Sequence, residues 1–488
     1  VRSLIEWSTE TTTGDSGDID WPLPDAAWRQ VSVTSEECPG ARKCPRGNEC
    51  FAERARALAQ ESDVIVVNTH LYALDVASDG SILPDHELVI FDEAHQLEDV
   101  VSSSASLSIS PGRVASMAST IRAVLADDSL YARFGRVGTT LTSVLAPRCG
   151  SRVSLPLESA LADALVDLRL CTDDALTAVQ GISSDNETVK QKALRAVTTA
   201  TRLIEQIDAC LIATSTFVAW VSGTAERPAL ELAPLNVAPL LAERVWTKRT
   251  AILTSATIPA SLPQRVGIDM ATCDAIDVGS PFDYENSGYI YCAKHLPAPG
   301  SDTRDDAVNA EIVELLEAAG GRTLALFTTY RAMHLAADYA EKHTNFPILR
   351  QDDLPKMALV EAFSERDEAC LFATAGFFQG VDVPGETLSL VIIDKIPFPR
   401  PDDPLLSARR DAIGQTAFSE IDIPIAATQL AQAAGRLIRT SSDKGVVAIL
   451  DPRLATKSYG RLLGAQLPSL KRTITRDEVI SYLRDLSR

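Results

Sequence analysis

Hydrophobic positions along this chain follow two periods. Short, largely apolar runs mark the buried strands of a parallel sheet: Leu88 to Phe91, Thr323 to Phe327, Ala369 to Ala373, Leu388 to Ile393 and Val446 to Leu450. Asp63 to Asn68 reads as a further buried strand, and Thr250 to Ile258 as one that ends in hydroxyl residues. Elsewhere the spacing is helical. Phe51 to Gln60 has helical composition, Leu157, Leu161, Leu165 and Leu168 form one stripe, and Val197, Ile204, Ile207 and Leu211 form another. Ser184 and Glu187 stand at capping-box spacing ahead of that second stripe. The order predicts an α/β chain with doubly wound parallel sheets. A first sheet domain over 1–104 and 246–272 is interrupted by a mostly helical insertion over 105–245, and a second sheet domain covers 273–488.

The candidate chemistry lies where strands end, the edge at which open parallel sheets place their ligands. Asp92 and Glu93 follow the run Leu88 to Phe91, with His95 two residues on. A carboxylate pair there can hold magnesium and polarise an attacking water in nucleotide hydrolysis, with His95 as a sensor; an acidic start to the next helix is the plainer alternative. Ser255 and Thr257 end the strand at 250–258 and are placed to couple that site to movement. Thr328, Thr329 and Tyr330 follow another strand and suit a nucleic-acid phosphate or sugar. Gly376 to Gly385 is a glycine-rich loop containing Asp382. Gln432 to Arg439 places Arg436 and Arg439 on one face of a predicted helix, where they can act as arginine fingers or pair on the surface.

Cysteine and charge change the picture in one place. Cys38, Cys44 and Cys50 sit among Pro39, Gly40, Pro45 and Gly47, a spacing that suits iron–sulfur ligands, zinc ligands or unconnected thiols. Arg42, Lys43, Arg46, Arg54 and Arg56 make that stretch locally basic. The remaining six of nine cysteines stand singly among apolar residues, as core thiols of a reducing cytoplasm do. A formal charge of −20 excludes a sequence-blind coat on nucleic acid, though not a machine with one basic groove. No apolar run approaches the length of a membrane span, and the N-terminus has no signal-peptide pattern.

Taken in order, Asp92-Glu93-Ala94-His95, Thr254-Ser255-Ala256-Thr257, Gly376 to Gly385 and Gln432 to Arg439 resemble motifs II, III, V and VI of superfamily-two helicases. The cysteine array ahead of Val67-Asn68-Thr69-His70, Gly279 to Phe282, Lys395 to Pro404 and Asp451 to Leu454 narrow the likeness to the iron–sulfur helicases of the XPD and DinG type. The resemblance implies two RecA-like motor domains, with an iron–sulfur segment over 36–60 and an arch over 105–245 inserted in the first. It implies a cytoplasmic, monomeric, ATP- and Mg2+-dependent motor. Such a motor moves along single-stranded DNA, 5′ to 3′, and opens duplexes or R-loops in repair or replication.

By the same resemblance Asp92, Glu93 and His95 serve hydrolysis, and Gln432, Gly435, Arg436, Arg439 and Asp382 contact the nucleotide. Cys38, Cys44 and Cys50 ligate a [4Fe–4S] cluster, and Arg42, Lys43 and Arg46 lie along the strand. Two departures bear on this. No G-x-x-x-x-G-K-[ST] loop occurs in the 488 residues, and no fourth cluster cysteine is apparent. The expectation is an N-terminally truncated helicase, inactive alone; the alternative is a nucleic-acid-binding scaffold without ATP turnover. Phe378 and Ala433 are milder departures from the family pattern.

Overall fold

The computed structural model describes residues 2–488 except 20, 22, 34–37, 39, 41–43, 45, 126, 367 and 379–387. Its contacts divide the chain into two units. The first comprises Val1–Leu253, Pro263–Asp269 and Asp402–Arg409; the second comprises Thr254–Leu262, Met270–Pro401 and Arg410–Arg488.

In the first unit, strand β1 (Leu88–Phe91) is followed by β2 (Leu107–Ile109), β3 (Arg152–Val153), β4 (Phe217–Thr224), β5 (Arg227–Pro234) and β6 (Thr250–Leu253). β1 pairs in parallel with β6 alone among the described residues, from Leu88 opposite Thr250 to Phe91 opposite Leu253. Only one face of this pair is covered. Val89 and Phe91 are buried, whereas Leu88, Ile90 and Ile252 remain 49%, 60% and 46% exposed. Phe91 is wedged edge-on between Tyr72 and Trp246, with ring centres 5.0 and 6.0 Å away. The apolar stretch Asp63–Asn68 forms no ladder among the described residues, contrary to its hydrophobic pattern, and Val64 and Val66 are exposed. Backbone groups without a strand alongside gain nothing from an extended apolar sequence. Asn68 instead caps the helix Thr69–Ala77, accepting from the Leu71 amide at 2.7 Å.

The insertion is more mixed than its helical stripes imply. Helices Pro111–Leu125, Asp128–Leu145, Ser159–Gln180 and Glu187–Ile212 pack with a four-stranded antiparallel sheet ordered β2-β5-β4-β3. Leu161, Leu165 and Leu168 are buried against Leu141 and Leu145 in one core, as the first stripe predicts. The second stripe is rotated: Ala196, Ala200, Leu203, Ile207 and Cys210 are the buried set. Small residues count in packing as much as large ones when helices approach closely. The cap also differs. Asn186, not Ser184, caps that helix and accepts from the Thr188 amide at 2.9 Å, while Ser184 accepts from the Asn186 amide.

The second unit holds β7 (Gly288–Cys292), β8 (Thr323–Phe327), β9 (Ile348–Arg350), β10 (Cys370–Thr374), β11 (Leu390–Ile393), β12 (Gly445–Ile449) and β13 (Lys471–Thr473). They form one sheet ordered β13-β7-β12-β11-β8-β10-β9, parallel throughout. Alternate residues serve opposite faces. Leu324, Leu326, Val391, Ile393, Val447 and Ile449 meet Phe363, Leu430 and Leu437 on one side. Ala325, Phe327, Leu390, Ile392, Val446 and Ala448 meet Ile312, Leu316 and Met333 on the other. Gly288, with φ of 151°, lies opposite Gly445, whose carbonyl would collide with any Cβ at position 288.

One buried cation gathers the strand ends. Arg304, 2% exposed, starts the helix Arg304–Ala319 and donates to the carbonyls of Pro297, Asp394 and Leu450 at 2.7, 2.8 and 3.1 Å. It also donates to the Asp394 carboxylate at 3.2 Å. Burial pushes the Asp394 carboxyl up, and Lys395 and Arg304 oppose that shift. Asp451 works beside it, accepting from the Ile396 amide at 3.0 Å and pairing with Arg453 at 2.6 Å. No helix among the described residues is long and apolar enough to cross a membrane. Arg304→Met should cost about 3 kcal/mol or more of second-unit stability, because a buried carboxylate and three carbonyls lose their donor together. Urea denaturation followed by circular dichroism checks this; a loss well below 1 kcal/mol would remove Arg304 from its anchoring role.

Candidate active site

The carboxylates at the end of β1 are set by a backbone feature. Glu93 adopts φ 50° and ψ 44°, the left-handed region that a residue with a side chain enters at a cost of about 1–2 kcal/mol. The turn continues through Ala94–Gln96 into the helix Leu97–Ser104, whose Ala94 and Leu97 anchor it in the core. The strain is held from both sides, by Phe91 before it and by these residues after it. Asp92 and Glu93 are left exposed at the carboxyl edge of the strand. Glu93 Oε2 lies 3.3 Å from His95 Nδ1, with Glu93 half exposed and His95 nearly covered. Burial pulls the His95 pKa below its ordinary 6.5, against the opposing pull of Glu93 and Asp99. His95 is therefore neutral near pH 7 and can exchange a hydrogen bond with Glu93 without competing as a cation.

In the second unit the strand ends form a polar row. Thr329 caps the helix Tyr330–His343, accepting from the Ala332 amide at 3.2 Å. Tyr330 is exposed, and its hydroxyl accepts from Gln351 Nε2 at 2.7 Å. Gln351 Oε1 in turn accepts from the Thr374 amide and hydroxyl, both at 2.8 Å. Thr328 stands exposed just after β8. This Tyr330–Gln351–Thr374 chain spans the ends of β8, β9 and β10. Gln351 and Thr374 are absent from the residues singled out by sequence. Thr374 had a signal, as the polar residue closing the apolar run 369–373, whereas β9 is too short to announce Gln351.

Gln432 lies in the last turn of the helix Ile423–Ala434, and Gly435 caps its end. Arg436 and Arg439 therefore lie beyond the helix, not on one face of it. Asp443 offers competing bonds, accepting from the Arg439 and Thr440 amides at 2.7 and 2.8 Å. Burial pulls the Arg439 pKa down while Asp443 raises it. Ser255 and Thr257 fall in the stretch Thr254–Leu262 of the second unit. The Thr257 hydroxyl is buried with no hydrogen-bond partner among the described residues, and its amide donates to Ser255 Oγ at 3.4 Å.

Asp382, Arg42 and Lys43 lie outside the described residues. Arg46 pairs with Glu49 at 3.0 Å, both well exposed, an arrangement that contributes little to stability. Cys38, Cys44 and Cys50 are free and half-buried, and Cys50 precedes the helix Phe51–Gln60. Among the described residues no three His, Cys, Asp or Glu side chains gather where they could share a metal ion. The three thiols thus do not form a ligand cage in this geometry.

Comparison with known proteins bears on the family and the fold. Residues 312–469 match the helicase C-terminal domain family, and residues 41–114 match the family described as DEAD_2. The chain is 39% identical over 507 aligned residues to an ATP-dependent helicase DinG of Mycobacterium tuberculosis, covering 100% of this chain and 76% of the relative. It is 32% identical over 508 residues to the ATP-dependent DNA helicase YoaA of Escherichia coli, covering 97% and 77%. A solved XPD helicase shares the fold with a TM-score of 0.56 at 16% identity, over 90% of this chain and 83% of its own. A second, Xpd4 of S. tokodaii, gives 0.55 at 14% identity, over 82% and 79%.

His95 supplies a check on the site's electrostatics. Its folded pKa lies below the unfolded value of 6.5, so its contribution is intact above about pH 6.5 and is lost as pH falls through and below that value. Ring-proton NMR should place the His95 titration below 6.5, and His95→Gln should flatten the acid side of the melting-temperature profile. A midpoint above 6.5 would reverse this account of the ring.

Proposed function

This chain belongs to the DinG and YoaA family of ATP-dependent helicases, and from that premise we propose how its residues drive DNA. It is an ATP-dependent DNA helicase. In our reading it moves 5′ to 3′ along single-stranded DNA and opens duplexes entered from that strand, or R-loops, during repair or replication. It does so in the cytoplasm and as a monomer. The observation that carries the reading is the exposed carboxylate pair on the strained turn at Glu93, at the carboxyl end of a parallel strand.

Asp92 would hold magnesium through its water shell, a task that an exposed carboxylate at this edge fits. Magnesium supplies charge neutralisation along the phosphates. Glu93 orients and polarises the attacking water, and neutral His95 senses its state. Gln432, Gly435, Arg436, Arg439 and Asp382 contact the nucleotide, with the arginines stabilising transferred charge. Ser255 and Thr257 couple the site to movement; the buried Thr257 hydroxyl, without a partner among the described residues, supports a bond gained in another state. Thr328, Thr329, Tyr330 and the basic Arg42, Lys43 and Arg46 run along the DNA. The helical and antiparallel region over 105–245 acts as the arch.

The phosphate cradle is proposed to come from polypeptide outside these 488 residues, supported by the pairing of β1 and β6 with each other alone among the described residues, which leaves their outer edges open to further strands. The [4Fe–4S] cluster on Cys38, Cys44 and Cys50 is supported by their spacing and by the family alone, and it needs a fourth ligand.

The decisive experiment is DNA-stimulated ATP turnover by the full-length protein. Glu93→Gln should retain ATP binding and lose turnover by about two orders of magnitude, since the water loses its orienting carboxylate. Arg439→Ala should lower turnover far more than single-strand affinity, which is spread over many weak contacts. Turnover surviving in Glu93→Gln removes that residue from its role, and a wild-type protein that binds DNA without turnover is a scaffold. Metal analysis after anaerobic purification tests the cluster separately. Iron with inorganic sulfide should be present in the wild type and lost in Cys44→Ser, whereas stoichiometric zinc would overturn the assignment.

A further inference from the structure

The helix that follows the carboxylate turn carries a charge of its own inside the protein. Glu98 lies in the first turn of Leu97–Ser104, three residues after His95, and is 5% exposed. Two arginines from distant stretches reach it. Arg265 pairs with Glu98 Oε2 from the stretch Pro263–Asp269, which follows the Thr254–Thr257 motif. Arg409, 7% exposed, brings Nη1 to 3.2 Å from Glu98 Oε1 and 3.6 Å from Asp99 Oδ1. Arg409 further donates to Ser102 Oγ at 2.5 Å and to the Leu235 carbonyl at 3.1 Å. The Glu98–Arg409 approach is an ion pair without hydrogen-bond alignment, and Arg409 is oriented by Ser102 and Leu235.

The position of Arg409 in the chain gives this cluster its meaning. Residues 402–409 belong to the first unit, although the chain before and after them belongs to the second. The helix Pro404–Ile413 thus changes allegiance between two adjacent arginines. Arg410, the next residue, is held within the second unit. Its Nε and Nη2 fork onto Asp422 at 3.1 and 2.6 Å, and its Nη1 reaches the Arg400 carbonyl at 3.3 Å. Two directed donors from one guanidinium fix direction as well as distance, so each of these adjacent arginines is held in one orientation.

We propose that Glu98, with Arg265 and Arg409, is a positioning node that fixes the helix after the carboxylate turn to the crossing segment 402–409. Through it, a shift of that helix during a nucleotide cycle is delivered to Pro404–Ile413 and, at Arg410, to the second unit. Arg409 and Glu98 touch neither nucleotide nor DNA in this scheme. The inference rests on the helicase reading above.

The test uses the full-length protein and measures base pairs opened per ATP hydrolysed. Arg409→Met and Glu98→Gln should each keep DNA-stimulated turnover within about twofold of wild type. Each should lower the pairs opened per ATP by about tenfold, because gating elements change coupling without touching the chemistry. The double variant should lose no more than either single one, as members of one contact do. Arg409→Lys, which keeps the charge but not the fork, should recover part of the coupling. Unchanged pairs opened per ATP in Arg409→Met, proportional loss of turnover and unwinding, or fully multiplicative losses in the double variant would each overturn the node. Should Arg409→Met fail to fold by circular dichroism, Arg409→Lys decides alone: reduced coupling supports the node, and wild-type coupling overturns it. A wild-type protein without DNA-stimulated turnover would instead refute the helicase reading.

Discussion

Strands that all run one way cannot be joined by tight hairpins, and this constraint shapes the second unit. Every connection must cross back over the sheet, which lays helices on both faces and delivers each strand's carboxyl end to the same edge. Both faces are then buried, as the two cores flanking Leu324–Phe327 and Val446–Ile449 show. Polar residues placed immediately after strands have only that edge to occupy. Tyr330, Thr374, Asp394 and Asp451 are all there, and their bonds run sideways from one strand end to the next. Arg304 completes the edge, since the carbonyls of Asp394 and Leu450 leaving the sheet, with that of Pro297 beside them, need a donor that water cannot supply.

This is also why so much of the second unit was legible in the sequence. A strand buried on both faces must be apolar at every position, and the runs at 323–327, 369–373, 388–393 and 446–450 stand out for that reason. β9 and β13 have three residues each, too few to establish a period, and β7 begins at a glycine required by close approach to Gly445. The same signal failed at Asp63–Asn68, where the composition is right and no neighbouring strand is present among the described residues. In the insertion, the helices were visible from their leucines. The antiparallel strands β4 and β5 were hidden by mixed burial on both faces, with Trp220 and Glu231 facing each other across the ladder.

The candidate site divides along similar lines. Asp92, Glu93 and His95 were legible because three chemically meaningful residues fall within the four positions after an apolar strand. The left-handed turn at Glu93 was not, since nothing local marks a glutamate for positive φ; it is imposed by packing on either side. Arg436 and Arg439 were assigned to a continuous helix because their spacing matched one. Asp443, four residues beyond Arg439, outweighed that spacing by accepting from the Arg439 amide.

Net charge was the least informative quantity at the site itself. Several arginines are committed internally: Arg304 to Asp394, Arg410 to Asp422, Arg409 to the Glu98 cluster. Buried ion pairs are poor sources of stability, because desolvating both partners cancels most of their attraction. Their value lies in fixing positions, since a misplaced partner leaves a bare charge in the interior. That penalty is what a strained turn requires of its surroundings. Phe91 fixes the approach to Glu93 by shape, and Glu98 fixes the departure by charge. The carboxylate at Glu93 is thereby located from both ends of a segment only eight residues long, while its own side chain remains open to solvent.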